Sequence, residues 1–199
     1  MKITAIVGSY RKGHVIDRAV DEVLAAASEA GAVTAKLHLI DRHIEFCANC
    51  RVCTQVEGPQ RGECPIQDDM RSILDEVEQC DALVLASPMN FGTVTAVMKR
   101  FIERTVCYAY WPWGSHAPKT RDKRRPRRAV LVISSAAPSL LARLMTRMVG
   151  LLKNVAGLLG ARTVGLLFIG LAAGEENADI GPRAKRKARR LGQRLARTR

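Results

Sequence analysis

Apolar residues along this chain fall into two arrangements: short runs that are apolar from end to end, and longer stretches where they return every third or fourth position. The first arrangement marks strands buried on both faces, the second amphipathic helices. Residues 2–7 predict a strand that stops at Gly8. Residues 15–30 predict a helix, with Val15, Ala19, Val23 and Ala26 on one line, Ile16, Val20 and Leu24 beside it, and Gly31 as its stop. A strand over 34–40, a helix over 68–77 and a fully apolar strand over 82–86 follow. A helix over 93–106 buries Val94, Val97, Met98, Phe101 and Ile102. The second half reads as a strand over 129–133, one long helix over 139–159 with Leu140, Leu141, Leu144, Met148, Leu151, Leu152 and Val155 facing inward, a strand over 163–169, and a last helix over 177–196.

Strands separated by helices of this length imply a parallel sheet covered on both sides. Five such units suit an α/β fold of the flavodoxin-like type, a three-layer sandwich with a five-stranded parallel sheet in the order 2-1-3-4-5. The 199 residues supply one sizeable core, so a single domain spanning 1–199 is expected. It carries a cysteine-rich loop at 47–64, an aromatic and basic loop at 108–128, and a basic C-terminal helix and tail at 177–199. At 47% hydrophobic and 26% charged, the composition excludes collagen-like, low-complexity and wholly disordered classes.

The net charge of +13 changes this picture less than its size suggests. Residues 118–128 carry seven Lys/Arg against Asp122, and residues 181–199 carry nine with no acid, so the rest of the chain is near neutral at −2. The uncharged stretch 163–174 of the C-terminal half is too short to span a bilayer, and the N-terminal apolar run lacks a cleavage site. A cytoplasmic protein without membrane partners is expected.

In open parallel sheets ligands sit beyond the carboxyl ends of the strands, between the first and third in this topology. The first loop there is Gly8-Ser9-Tyr10-Arg11-Lys12-Gly13-His14, leading straight into a helix at Val15. Helix-start N–H groups, the Ser9 hydroxyl and the Arg11 guanidinium together make a phosphate cradle. The residues after Gly13 are not the Lys-Ser/Thr of a nucleotide triphosphatase, and the glycine spacing is not that of a dinucleotide fingerprint, which leaves a monophosphate site. The second loop, Ser87-Pro88-Met89-Asn90-Phe91-Gly92, has a stiffening proline and a glycine that lets backbone approach a ligand, and suits one edge of a flat aromatic cofactor. Its alternative is a plain turn with Phe91 in the core.

Together these loops resemble those of the NADPH-dependent FMN reductase family of flavodoxin-like proteins, which also includes the iron-sulfur flavoproteins. The carriers are Gly-Ser-x-Arg-Lys-Gly at 8–13, the cysteine loop ending in Asp68-Asp69-Met70, Ala86-Ser87-Pro88 with Gly92, and the run 98–104. The resemblance implies that Ser9, Arg11, Gly13, His14 and Val15 hold the FMN phosphate, that Pro88, Met89, Asn90, Phe91 and Gly92 line the isoalloxazine, and that a third loop containing Ser135 closes over it. His14-Val15 stands where the family has a polar pair, Asn90 where it has an aromatic, and the third loop lacks glycines. The implied activity is hydride transfer from NAD(P)H as co-substrate to flavin, then electrons to a small-molecule or protein acceptor, in a homodimer or homotetramer. The cofactor carries that chemistry, so no catalytic acid or base is assigned.

Cys47, Cys50, Cys53 and Cys64 form a compact set. Two-residue gaps and a Cys-Pro at the end suit a [4Fe-4S] cube, although residues 54–63 intervene before the fourth; zinc, or small residues packing a loop, are the alternatives. Cys80 and Cys107 read as core. His38, His43 and His116 lack metal spacing. The arginine-rich tail reads as a solvated, fraying helix, with nucleic-acid binding as a reading from another class, disfavoured by the lack of interleaved aromatics. Four aromatics within 108–113 read as an interface or a lid over the flavin. The leading reading is an FMN-dependent NAD(P)H oxidoreductase without a metal centre; the alternative is an iron-sulfur flavoprotein electron carrier.

Overall fold

A computed structural model of the chain describes residues 1–176 and 178–197. Five parallel strands form its sheet: β1 (Lys2–Val7), β2 (Val33–His38), β3 (Ala82–Pro88), β6 (Arg127–Ser134) and β7 (Ala161–Ile169), in the order β2-β1-β3-β6-β7. Two further strands, β4 (Ala109–Tyr110) and β5 (Lys119–Thr120), make a short antiparallel hairpin inside the aromatic and basic loop that the hydrophobic pattern does not announce. Counting only the sheet strands, the order is the expected 2-1-3-4-5.

Alternation within the strands sets the two layers around the sheet. In β3, Leu83 and Leu85 point to one face, and Ala82, Val84 and Ala86 to the other. The leucine face packs against α2 (Met70–Gln79), α3 (Ala96–Arg104) and α5 (Met148–Leu158), with Phe101, Met98, Ile73 and Leu152 at its centre. The alanine and valine face takes α1 (Val15–Glu29) and α6 (Pro182–Ala196). Small residues also let these two helices meet closely: a Cβ on Gly192 would lie 2.0 Å from the Val23 carbonyl oxygen.

Two expectations about the second half are corrected here. The helix over 139–159 is broken into α4 (Ser139–Met145) and α5, with Thr146 extended between them. The Thr146 hydroxyl donates to the Gly92 carbonyl at 2.6 Å and accepts from the Met148 N–H at 3.0 Å, so the side chain replaces helix bonds. Leu140, Leu141 and Leu144 consequently face outward and are exposed, while Met148, Leu152 and Val155 are buried as expected. The last helix is a packed element, not a fraying one. It buries Ala188, Leu191 and Leu195, and pairs Lys185 with Glu22 at 2.9 Å and Arg189 with Glu22 and Glu29. Its first predicted residue, Asn177, and the tail residues Thr198 and Arg199 lie outside the described residues. Among the described residues no helix is long and apolar enough to cross a membrane.

Candidate functional site

The loops after β1, β3 and β6 lie side by side, because those strands are neighbours in the sheet and all run the same way. Backbone bonds fix their spacing. Gly8 N–H donates to the Ala86 carbonyl at 2.8 Å and Met89 N–H to the Ser134 carbonyl at 2.7 Å, so the ladder continues past the strand ends. One buried side chain then ties the first two loops together. Thr95, the N-cap of α3, accepts from Met98 N–H at 3.2 Å and donates to the Gly8 carbonyl at 2.6 Å. Gly8 itself admits no side chain, since a Cβ would lie 2.5 Å from the Met98 Cβ.

In the first loop Gly13 has φ +72°, which lets the chain turn into α1. His14 is the N-cap and is extended, but its side chain makes no capping bond, so the first-turn N–H groups of α1 are open to an anion. Arg11 is exposed and reaches across to the Glu176 carbonyl at 2.8 Å, standing at the mouth of this cradle. Ser9 is buried, with its hydroxyl accepting from the Arg11 N–H and donating to the Arg11 carbonyl, which shapes the turn. Val15 is buried against the sheet. Beneath the loop lies Asp17, which sequence pattern did not single out. It accepts from Gly13 N–H at 2.6 Å and from Lys36 at 2.9 Å, and faces His38 Nε2 at 3.2 Å. Burial pushes the Asp17 carboxyl up, but the Gly13 N–H, Lys36 and His38 outweigh it and hold it below the ordinary carboxylate range. The groups left to meet an anion here are thus the first-turn N–H groups and Arg11.

The second loop is a tight hairpin in which Asn90 and Thr93 exchange backbone bonds at 2.9 and 3.0 Å around Phe91 (φ +48°) and Gly92 (φ +77°). Phe91 is not in the core; its ring is fully exposed. Pro88 and Met89 are half-buried and Asn90 is exposed. In the third loop Ser135 is buried, donating its N–H to the Ile169 carbonyl and its hydroxyl to the Ala137 carbonyl. Its hydroxyl therefore holds the loop together instead of facing a ligand. Tyr10, Phe91, Leu140, Leu144 and Leu171 are exposed on these three loops and the two segments that follow them, α4 and the turn after β7. A helix start with open donors, a cation at its mouth and nearby exposed apolar side chains fit a phosphate ester joined to a flat ring system.

The cysteine set lies elsewhere. Cys47, Cys50, Cys53 and Cys64 all line one small cavity of about 40 Å³, bounded also by Arg104, Val106 and Trp111. These last residues are at or beyond the C-terminal end of α3, whereas the Phe91 hairpin precedes its start. The nine-residue helix puts roughly 13 Å between the two. Asn49 and Arg51 adopt φ of +52° and +58°, which bends the loop so that its cysteines share the cavity. Arg104 Nη2 lies 3.5 Å from Cys64 Sγ, and Arg104 makes a buried pair with Asp68. Burial raises the Asp68 carboxyl, but Arg104 and the Glu45 and Met70 N–H groups prevail and keep it ionised below the usual range. Burial, then the neighbouring thiols of Cys64, Cys47 and Cys50, push the Cys53 thiol up to about 11. The donor set suits thiolate ligation, but among the described residues no three such side chains converge tightly enough to hold a single metal ion. Cys80 and Cys107 are buried in the core.

The aromatic loop is corrected in position: it covers the cysteine loop, not the hairpin at Phe91. Arg51 is stacked between Trp111 and Trp113, with 4.0 and 4.2 Å to the ring centroids, and donates to the Trp111 and Pro112 carbonyls. Thr54 donates to the same Trp111 carbonyl at 3.1 Å.

Known proteins resemble this chain in sequence and in fold. An iron-sulfur flavoprotein of Archaeoglobus fulgidus is 36% identical over 112 residues, 56% of this chain and 49% of that protein. One from Methanocaldococcus jannaschii is 34% identical over 105 residues, 53% of this chain and 52% of its own. The chain thus spans about half the length of the curated relatives it matches. Among solved structures, an FMN-dependent NADH-azoreductase from Bacillus anthracis, in complex with FMN, superposes with a TM-score of 0.71 at 13% identity, covering 99% of this chain and 100% of that one. An NAD(P)H:quinone oxidoreductase from Methanothermobacter marburgensis gives 0.70 at 16%, covering 98% of each. The fold is therefore the flavodoxin-like sandwich. A family model described as NADPH-dependent FMN reductase matches residues 1–173, and the chain belongs to that family.

Proposed function

We propose that this chain is an FMN-dependent NAD(P)H oxidoreductase that delivers electrons to a small acceptor. The observation that carries the reading is the uncapped start of α1 with Arg11 at its mouth, held beside the Phe91 hairpin by Thr95. In this role the N–H groups of the first turn of α1 and the Arg11 guanidinium bind the phosphate. The backbone of residues 88–92 lines one edge of the ring, and Ser135 keeps the third loop in register beneath it. FMN, when held there, would supply the redox chemistry that links NAD(P)H to the acceptor. No side chain need move a proton, so none is given an acid or base role.

A second reading rests on the cysteines. Four thiols facing one cavity, with a cation beside Cys64, favour an iron-sulfur centre in the same chain, as the names of the archaeal relatives suggest. Such a centre would lie at the far end of α3 from the flavin loops.

One sample tests both. The visible spectrum of anaerobically purified protein, with iron and acid-labile sulfide assayed alongside, should show two flavin bands that bleach with NADPH or NADH. Iron and sulfide in about equal amounts with a broad shoulder would add the cluster. A colourless protein that does not take up added FMN would overturn the flavin reading.

A further inference from the structure

A roomy cavity among the described residues belongs to neither the flavin loops nor the space between the cysteines. It measures about 710 Å³ and lies between the segment 59–67, one face of α2, and the basic loop where it enters β6. That is the size of a small-molecule site. Its floor is apolar, made by Met70 and Leu74 of α2 and by Leu158 and Leu159 at the end of α5. Five arginines, Arg61, Arg71, Arg104, Arg124 and Arg127, stand in its walls against three acids, Glu63, Glu78 and Asp122.

Those cations are not equally engaged. Arg61 pairs with Asp75 and Glu78, Arg104 with Asp68, and Arg124 with Asp122. Arg127 differs, because its hydrogen bonds end on the carbonyls of Cys80, Glu78 and Leu159, neutral acceptors that leave its charge in place. Among the described residues Arg71 pairs with Glu63 alone, at 3.8 Å, with that carboxylate side chain 92% exposed to water. A pair so distant and so wet is weak. The adjoining loop adds the field of its own basic residues, seven Lys/Arg against Asp122 between 118 and 128. An apolar floor beneath a positive rim selects a molecule with an apolar body and one anionic end.

We propose that this cavity binds an amphipathic organic carboxylate, its apolar body on Leu74 and Leu159 and its carboxylate at Arg71 and the Arg127 side of the rim. The proposal is independent of the flavin reading. Cys64 lines both this cavity and the cysteine cavity, so an occupant would stand directly against the thiol set.

Dodecanoate is the probe, titrated calorimetrically into the full chain below its micelle concentration, with dodecylammonium as the cationic match in chain length. One saturable dodecanoate site per chain is expected, with dodecylammonium at least tenfold weaker. Arg71→Gln should weaken dodecanoate about tenfold, and Glu63→Gln, which frees Arg71, should tighten it. Both side chains are exposed, so the unfolding midpoint and FMN uptake should match those of the unaltered protein. Dodecanoate should also slow alkylation of Cys64, followed by peptide mass spectrometry in metal-free protein. Absence of saturable binding up to millimolar probe, equal binding of the cation, or indifference to both substitutions would overturn the proposal, whatever the flavin content.

Discussion

Thr95 is the point at which stability and cofactor retention should fail together. Its hydroxyl is fully buried and does two jobs, capping α3 through Met98 N–H and donating to the Gly8 carbonyl at 2.6 Å. Thr95→Val keeps the shape and removes both bonds. Losing the cap costs about 1 kcal/mol, and stranding the Gly8 carbonyl without its donor costs about 1–3 kcal/mol more. The expected loss is therefore about 2–4 kcal/mol, while Thr95→Ser, which keeps the hydroxyl, should recover most of it. Urea unfolding of the three proteins at constant m-value measures the difference, and FMN release from each reports whether the two loops still hold their spacing. A Val variant within about 0.5 kcal/mol of the parent, or a Ser variant as unstable as the Val variant, would refute the reasoning.

Arg11→Ala should weaken FMN retention by removing a charge-assisted contact, and full flavin occupancy in that variant would count against the phosphate assignment. Gly192→Ala should separate α6 from α1 and cost several kcal/mol by thermal unfolding, because the clash is with the Val23 backbone, not with a movable side chain; an unchanged Tm would show that the helices slide freely. Burial holds the Cys107 thiol up to about 12 from an ordinary value near 9. Thiols in the unfolded chain ionise first as pH rises, so stability should be full below about pH 9 and fall towards pH 12, by a few kcal/mol at most. Cys107→Ala should reduce this alkaline slope in urea titrations at pH 8 and 10.5, leaving the share that the raised Cys53 thiol contributes, and an unaltered slope would place its origin elsewhere.

The sheet was legible because its strands are apolar throughout and nothing else in the chain competes for that pattern; residues 2–7 and 163–169 sit where the pattern puts them, with β7 starting two residues earlier. The helix over 139–159 was misread for a physical reason. Periodicity cannot tell an apolar side chain facing the core from one facing outward, and Thr146 breaks the helix through bonds to Gly92 and Met148 that lie in tertiary structure. Gly8, Arg11 and Gly13 announce the cradle locally, whereas Asp17, Lys36 and His38 meet beneath it only once β2 lies beside β1. Thr95 could have been found from its place just ahead of an apolar helical run, where threonine is a natural cap. The aromatic loop carried no signal of its target, since Trp111 and Trp113 close on Arg51, some sixty residues earlier in the chain.

That last arrangement gives the protein an optical address. The chain has two tryptophans, and both stack on the same arginine at the edge of the cysteine cavity. Indole emission, usually an average over a whole fold, here originates from one corner of it. Ligation, oxidation or loosening of the cysteine loop would shift that emission directly, so a fluorimeter can follow the thiol set in real time without any label.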